Sequence, residues 1–409
     1  MKNSRIKWLL ISLCSLLVVA FLGALMRYKI AFYLPWIEQK NLQHAHSHFA
    51  FAGWLTQILF VILIARLEKK GFENAFSEYR NLLVANLGCS YGMLISFWCQ
   101  GYSFISIALS TMSIFIYFLF AFQHRLHLNL FARQEPATNW IKASLFFGIL
   151  SSAGTFFLAY MMASNQLEQH LYLGSVYFYL HFQYNGWFLF ACLGILIGYL
   201  SDSSPEFRIP KVWVQVMVVS TTITYGLSVL WASLPSWLYW VLVGASVGQT
   251  LIWFLLVRKI TLPTVWKSLV DNKFLKFIYC LICICVSIKF LLQLGSVIPE
   301  VSRLAFGFRP IVISYLHLIL LSSISSFLVA FVFSTSLLPE GKRHYWVVFF
   351  GGLYLNQLVL GIHGIASFTY IYLPYINEIL FGLSVVLVLG FTLALQTVKK
   401  NLQESAVYD

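Results

Sequence analysis

In the stretch His44-Ala-His-Ser-His48-Phe-Ala-Phe-Ala-Gly-Trp54, the last seven residues read H-F-x-[F/Y]-x-G-W. The same pattern returns 133 residues later as His181-Phe-Gln-Tyr-Asn-Gly-Trp187. After a further 136 residues a weaker copy begins: Tyr315-Leu-His317 echoes Tyr179-Leu-His181, and Ser322 stands where the glycine would be. The chain therefore reads as one integral membrane domain over 1–409, built from three pseudo-repeats at about 1–135, 136–272 and 273–409. Each repeat holds about four apolar runs and carries its histidine on the second. A histidine in an apolar span costs free energy unless it has a partner, so three at one repeat position mark candidate sites.

The runs themselves decide the fold class. The chain has 409 residues, 60% hydrophobic and 10% charged. About 20 consecutive apolar residues span a bilayer, and twelve such runs are present: 7–27, 46–66, 81–100, 102–123, 140–162, 174–200, 212–233, 236–257, 274–296, 309–335, 344–364 and 374–397. They are too long and too evenly apolar for barrel strands, and only self-satisfied helices otherwise survive in lipid. The expectation is an all-α, multi-pass bundle of twelve transmembrane helices, numbered here as spans one to twelve.

Most of the 27 Lys and Arg fall in the termini and in the loops after even-numbered spans. The positive-inside rule then places both termini in the cytoplasm. The net charge of +13 is topology and gives no nucleic-acid signal, because the basic residues sit in short loops and never interleave with aromatics in a stacking platform. The first run reads as a retained anchor, since Phe21-Leu-Gly-Ala-Leu-Met-Arg27 offers no small-x-small cleavage site. Cys280, Cys283 and Cys285 fall in an apolar helix and read as small hydrophobes.

His44 and His48, four apart, share a helix face, and His46 points elsewhere. Their density suits axial ligation of a haem by His48 or His46, with His44 in an outer metal shell; interfacial hydrogen bonding is the alternative. His181 is followed closely by Gln183, Tyr184 and Asn185, which suits either a metal or haem ligand tuned by Tyr184 or Asn185, or an interhelical hydrogen-bond network. Gly53 and Gly186 let a neighbouring helix or a flat macrocycle approach, and Trp54 and Trp187 would wall the pocket. His363 and His170 are candidates for completing an outer-face site. His124, His127 and His344 read as interface residues beside cytoplasmic loops. Lys289, inside span nine, either snorkels outward or serves a proton or anion path. Glu378 is the best carboxylate in a span.

Twelve spans, cytoplasmic termini and histidines on spans two, six and ten together resemble the catalytic subunit of the haem–copper oxidase superfamily, which includes terminal oxidases and bacterial nitric oxide reductases. His181-Phe-Gln-Tyr-Asn-Gly186 is similar to the sixth-helix motif of the nitric oxide reductases, with Asn185 in place of their glutamate. His46-Ser-His48-Phe-Ala-Phe-Ala-Gly53 is similar to their tenth-helix motif but stands on span two. The resemblance implies a cytochrome c oxidase subunit I-like bundle in a bacterial inner membrane. It also implies a b-type haem held by His48 (or His46) and His317, with His181 as the copper-site ligand. Other respiratory subunits, a cytochrome or a quinone are the implied partners. Span seven carries no histidine and span ten carries one, so the three-histidine copper site is incomplete. The expectation is a haem-binding redox protein of oxidoreductase type. Two alternatives stand beside it. One is a copper-handling or transport protein that captures metal at His44, His46, His48, His170 and His363. The other is a cofactor-less structural or assembly subunit.

Overall fold

A computed structural model describes residues 2–408 except 167, 205, 232–233, 270–271, 336 and 340; it also leaves undescribed the side chains of 2–3, 303–306 and 405–408. Among the described residues every regular element is a helix. Twelve are long and apolar enough to cross a membrane. In chain order they are Ser4–Ala31, Gln39–Lys69, Arg80–Gln100, Phe104–Phe131, Pro136–Ala163, Gln169–Ser203, Lys211–Val229, Ser236–Ile260, Lys273–Gly295, Arg309–Ser334, Arg343–Phe368 and Ile376–Glu404. These are the twelve spans expected from the apolar runs. Most helices outrun their runs by a few residues, because polar residues extend a helix past the hydrocarbon. The end of the expected seventh run, 232–233, lies outside the described residues.

Contacts divide the chain into two compact units. One comprises Met1–Gln123 with Leu328–Asp409, and the other comprises His124–Phe327. In the first unit, spans one, two, three, eleven and twelve pack by chain-adjacent pairs and by span one against span twelve. In the second, span five packs on span six, span seven on span eight, and spans eight and ten on span nine. The three repeats are a pattern of sequence, and their boundaries do not coincide with these units.

Spans two, six and ten differ from the rest. In their most apolar windows 78%, 72% and 78% of residues are buried, against 28–44% in the other nine. Each also changes winding at the same place. The α-helix gives way to a π-helical segment at Ala50–Thr56, Phe182–Phe188 and Leu318–Ser325. These segments begin directly after Phe49, His181 and His317, so the repeat histidines occupy the last α-helical turn in all three. π-helical turns are rare and gather at functional sites. Their looser carbonyls find side-chain donors: Asn86 of span three donates to the Ala52 carbonyl at 3.1 Å and to the Gln57 side-chain oxygen at 2.8 Å. In span ten, Ser323 donates to the Leu318 carbonyl at 2.8 Å and Ser326 to that of Leu321 at 3.2 Å.

The turn between spans three and four also serves a site. Gly101 closes span three with φ +63, a left-handed conformation that glycine adopts without a Cβ penalty. The Ser106 hydroxyl donates to the Gly101 carbonyl at 2.8 Å and accepts from the Ser103 amide at 2.8 Å. That knot fixes Tyr102, the residue between.

Candidate functional site

The histidines of span two part as their spacing predicts. His44 and His48 both face Tyr102 and Phe97. The His44 ring meets Tyr102 edge-on at 4.6 Å, and the His48 ring stacks on Phe97 at 4.2 Å. His48 Nε2 shares a 3.2 Å hydrogen bond with the Tyr102 hydroxyl. His46 turns the other way, toward span one, where a Cβ on Gly23 would lie 3.5 Å from its ring. Phe97 and Tyr102 were not legible as site residues, because the pairing depends on a turn 54 residues from His48.

His181 is buried and its ring is engaged on both sides. Nε2 donates to the Thr221 backbone carbonyl at 2.8 Å, and Nδ1 accepts from the Asn185 amide at 3.1 Å. Span seven supplies that carbonyl through a defect: its α-helix ends at Ile223 and continues as a 3₁₀ segment, Thr224–Val229. The run Ser220-Thr-Thr-Ile-Thr224 is made of weak helix formers. A break in a spanning helix persists only where side chains satisfy the disturbed backbone, and His181 and the Thr224 hydroxyl do so at Thr221. Gln183 reaches the Ser151 hydroxyl of span five at 2.8 Å. This is the interhelical network weighed for these residues. Tyr184 is buried and meets Tyr315 of span ten edge-on at 6.3 Å.

His317 has a different environment. Its Nδ1–H donates to the Ile313 carbonyl of its own helix at 2.8 Å. A carbonyl can only accept, so this bond puts the neutral ring's lone pair on Nε2. That is the tautomer a histidine presents to iron when its other nitrogen is held by the backbone.

The motif glycines serve helix packing. A Cβ on Gly186 would overlap Phe147 of span five, and one on Gly53 would come within 2.6 Å of the Phe49 ring one turn earlier. Trp54 and Trp187 are wholly buried. His363 is half-buried in span eleven, and His170 is exposed, stacked on Trp231 at 4.9 Å. Among the described residues no three of His, Cys, Asp or Glu converge to hold a metal ion. The donor set thus does not fit a copper ion: His181 would have to give up one of its two bonds, and among the described residues no group of three ligands includes it. A haem iron would take an imidazole lone pair as an axial ligand, and the His317 tautomer set by the Ile313 bond has its lone pair on Nε2.

Two readings need correction. His124 is not an interface residue. Span four continues to Phe131, past the end of its apolar run, and His124 is fully buried. Lys289 does not snorkel: it is 3% exposed, and its ammonium lies 3.8 Å over the Phe290 ring, with no carboxylate partner among the described residues. Glu378 is exposed at the start of span twelve. Cys280, Cys283 and Cys285 are respectively exposed, half-buried and buried, so they do not share one face. The chain matches no known family model and no curated protein.

Proposed function

We propose that this chain is a haem-binding membrane redox protein, with the Nε2 of His317 as one axial ligand. The observation that supports it is the recurrence: in each of the three most buried spans a histidine stands in the last α-helical turn before a π-helical segment. The backbone bond to Nδ1 then gives His317 the ligand tautomer. A b-type haem supplies one-electron transfer at its iron, with a potential set by ligand identity, burial and hydrogen bonds. The chain's own part is to orient the imidazole through Ile313 and to exclude water with the apolar walls of span ten. On the same reading, copper is absent, the termini are cytoplasmic in a bacterial inner membrane, and a cytochrome, a quinone or another respiratory subunit exchanges the electron.

The test is a dithionite-reduced minus oxidised spectrum of the purified full chain, with pyridine haemochrome quantification. One b-type haem per chain is expected. Protein from haem-replete cells without that signal would overturn the reading.

A further inference from the structure

We propose that the first compact unit binds an anionic phospholipid in a cleft between spans one, three and twelve, its phosphate held by Lys7 and Lys399. The cleft has a volume of about 580 Å³. Span one lines it with Lys7, Leu10, Ile11 and Cys14, at the i, i+3, i+4, i+7 spacing of a single helix face. Leu87 and Tyr91, one turn apart, form the wall from span three, and Lys399 closes it from span twelve.

The arrangement is graded along the membrane normal. Lys7 lies near the start of span one and Lys399 near the end of span twelve, so the cations stand at the membrane end from which both termini emerge. Cys14 is two turns deeper than Lys7, about 10 Å at 1.5 Å per residue. A cationic mouth therefore opens onto an apolar trough, which matches a headgroup phosphate continued by an acyl chain.

Charge chooses the occupant. Two ammonium groups at the mouth of one cleft repel each other unless an anion lies between them. Nearby basic residues have partners, with Arg5 against Glu68 at 3.6 Å and Lys400 against Glu404 at 3.7 Å. Lys7 and Lys399 have none among the described residues. A zwitterionic lipid or a neutral quinone leaves that charge unbalanced, whereas a phosphodiester carrying a net negative charge cancels it. The deep wall also touches the histidine motif: the Tyr91 ring meets Phe49, the neighbour of His48, edge-on at 4.8 Å.

The experiment counts bound lipid by native mass spectrometry on the delipidated full chain. Phosphatidylglycerol and phosphatidylcholine of identical chains are compared. Wild type should retain phosphatidylglycerol roughly 30-fold better, the effect of two basic side chains acting on one headgroup. The double substitution Lys7→Gln/Lys399→Gln should remove that preference, and Lys7→Arg/Lys399→Arg should keep it. Leu10→Trp fills the trough with the charge unchanged and should also lower retention. Equal retention of the two lipids by wild type needs no variant to fold and would overturn the proposal, as would an unchanged preference in the Gln pair. Full displacement by inorganic phosphate with no effect of Leu10→Trp would assign a simple anion site instead, and preferential retention of a neutral quinone would overturn the charge argument.

Discussion

His181 and His317 occupy equivalent places in the repeat and take opposite tautomers. Both close the α-helical part of a deeply buried span, and both precede a π-helical segment. His181 spends both nitrogens on protein: one repairs the break in span seven, and the other is held by Asn185. His317 donates from Nδ1 to its own helix, which sets the other tautomer, with the lone pair on Nε2. The difference arises outside the motif. Span six lies against a span with a faulty carbonyl, whereas the His317 ring is turned back onto Ile313. One motif position can therefore hold opposite histidine tautomers in two repeats, with His181 acting as a clasp between spans six and seven.

The largest expected effect breaks the comparison at His317. His317→Ala should abolish the reduced b-type haem signal, and His181→Ala should leave it in place. Haem retained in full by His317→Ala would remove that residue from the site.

The clasp predicts a stability effect where the ligand does not. His181→Ala leaves the Asn185 amide and part of the Thr221 carbonyl's bonding unmet, which should cost about 2 kcal/mol in reversible unfolding in mixed micelles. Much of that should disappear in a double-mutant cycle with Asn185→Ala, because the two residues form one network. Additive single effects would show that the bond contributes nothing.

The glycines sharpen the contrast between span six and span two. Gly186→Ala drives a methyl group against the Phe147 Cβ, which is fixed to the backbone of span five, and about 2 kcal/mol is expected. Gly53→Ala meets the edge of the Phe49 ring and not a Cβ, but that ring is wholly buried against Tyr91 and must shift, so about 1 kcal/mol is expected. A reversal of this order in thermal unfolding would mean that span two is the more tightly packed. The smallest effect is at Asn86. Asn86→Ala removes the donor to the Ala52 carbonyl and Gln57, and interhelical bonds of this kind average about 0.6 kcal/mol in membranes.

The twelve spans were legible because length and apolarity are properties of the chain, and lipid leaves helices as the only solution. The division of His44 and His48 from His46 was legible because helical periodicity fixes faces before any packing occurs. Other features were not. His124 looked interfacial because an apolar window ends where charges begin, but a helix can carry those charges outward while its inner face stays buried. The role of Tyr102 required the Gly101 turn to be folded. Asn86 and Gln57 did carry a signal: each is an amide within an apolar run, the kind of residue that marks internal contacts.

The sequence by itself therefore determined the membrane class, the number of spans and the threefold recurrence of a histidine, since each follows from local composition and spacing. The tertiary structure alone decided what each of those histidines bonds and which tautomer the bond sets. Those outcomes depend on backbone carbonyls and on residues many positions away, such as Thr221 for His181 and Tyr102 for His48. A hydrogen-bond partner is chosen by distance in space, and a one-dimensional pattern does not contain that distance.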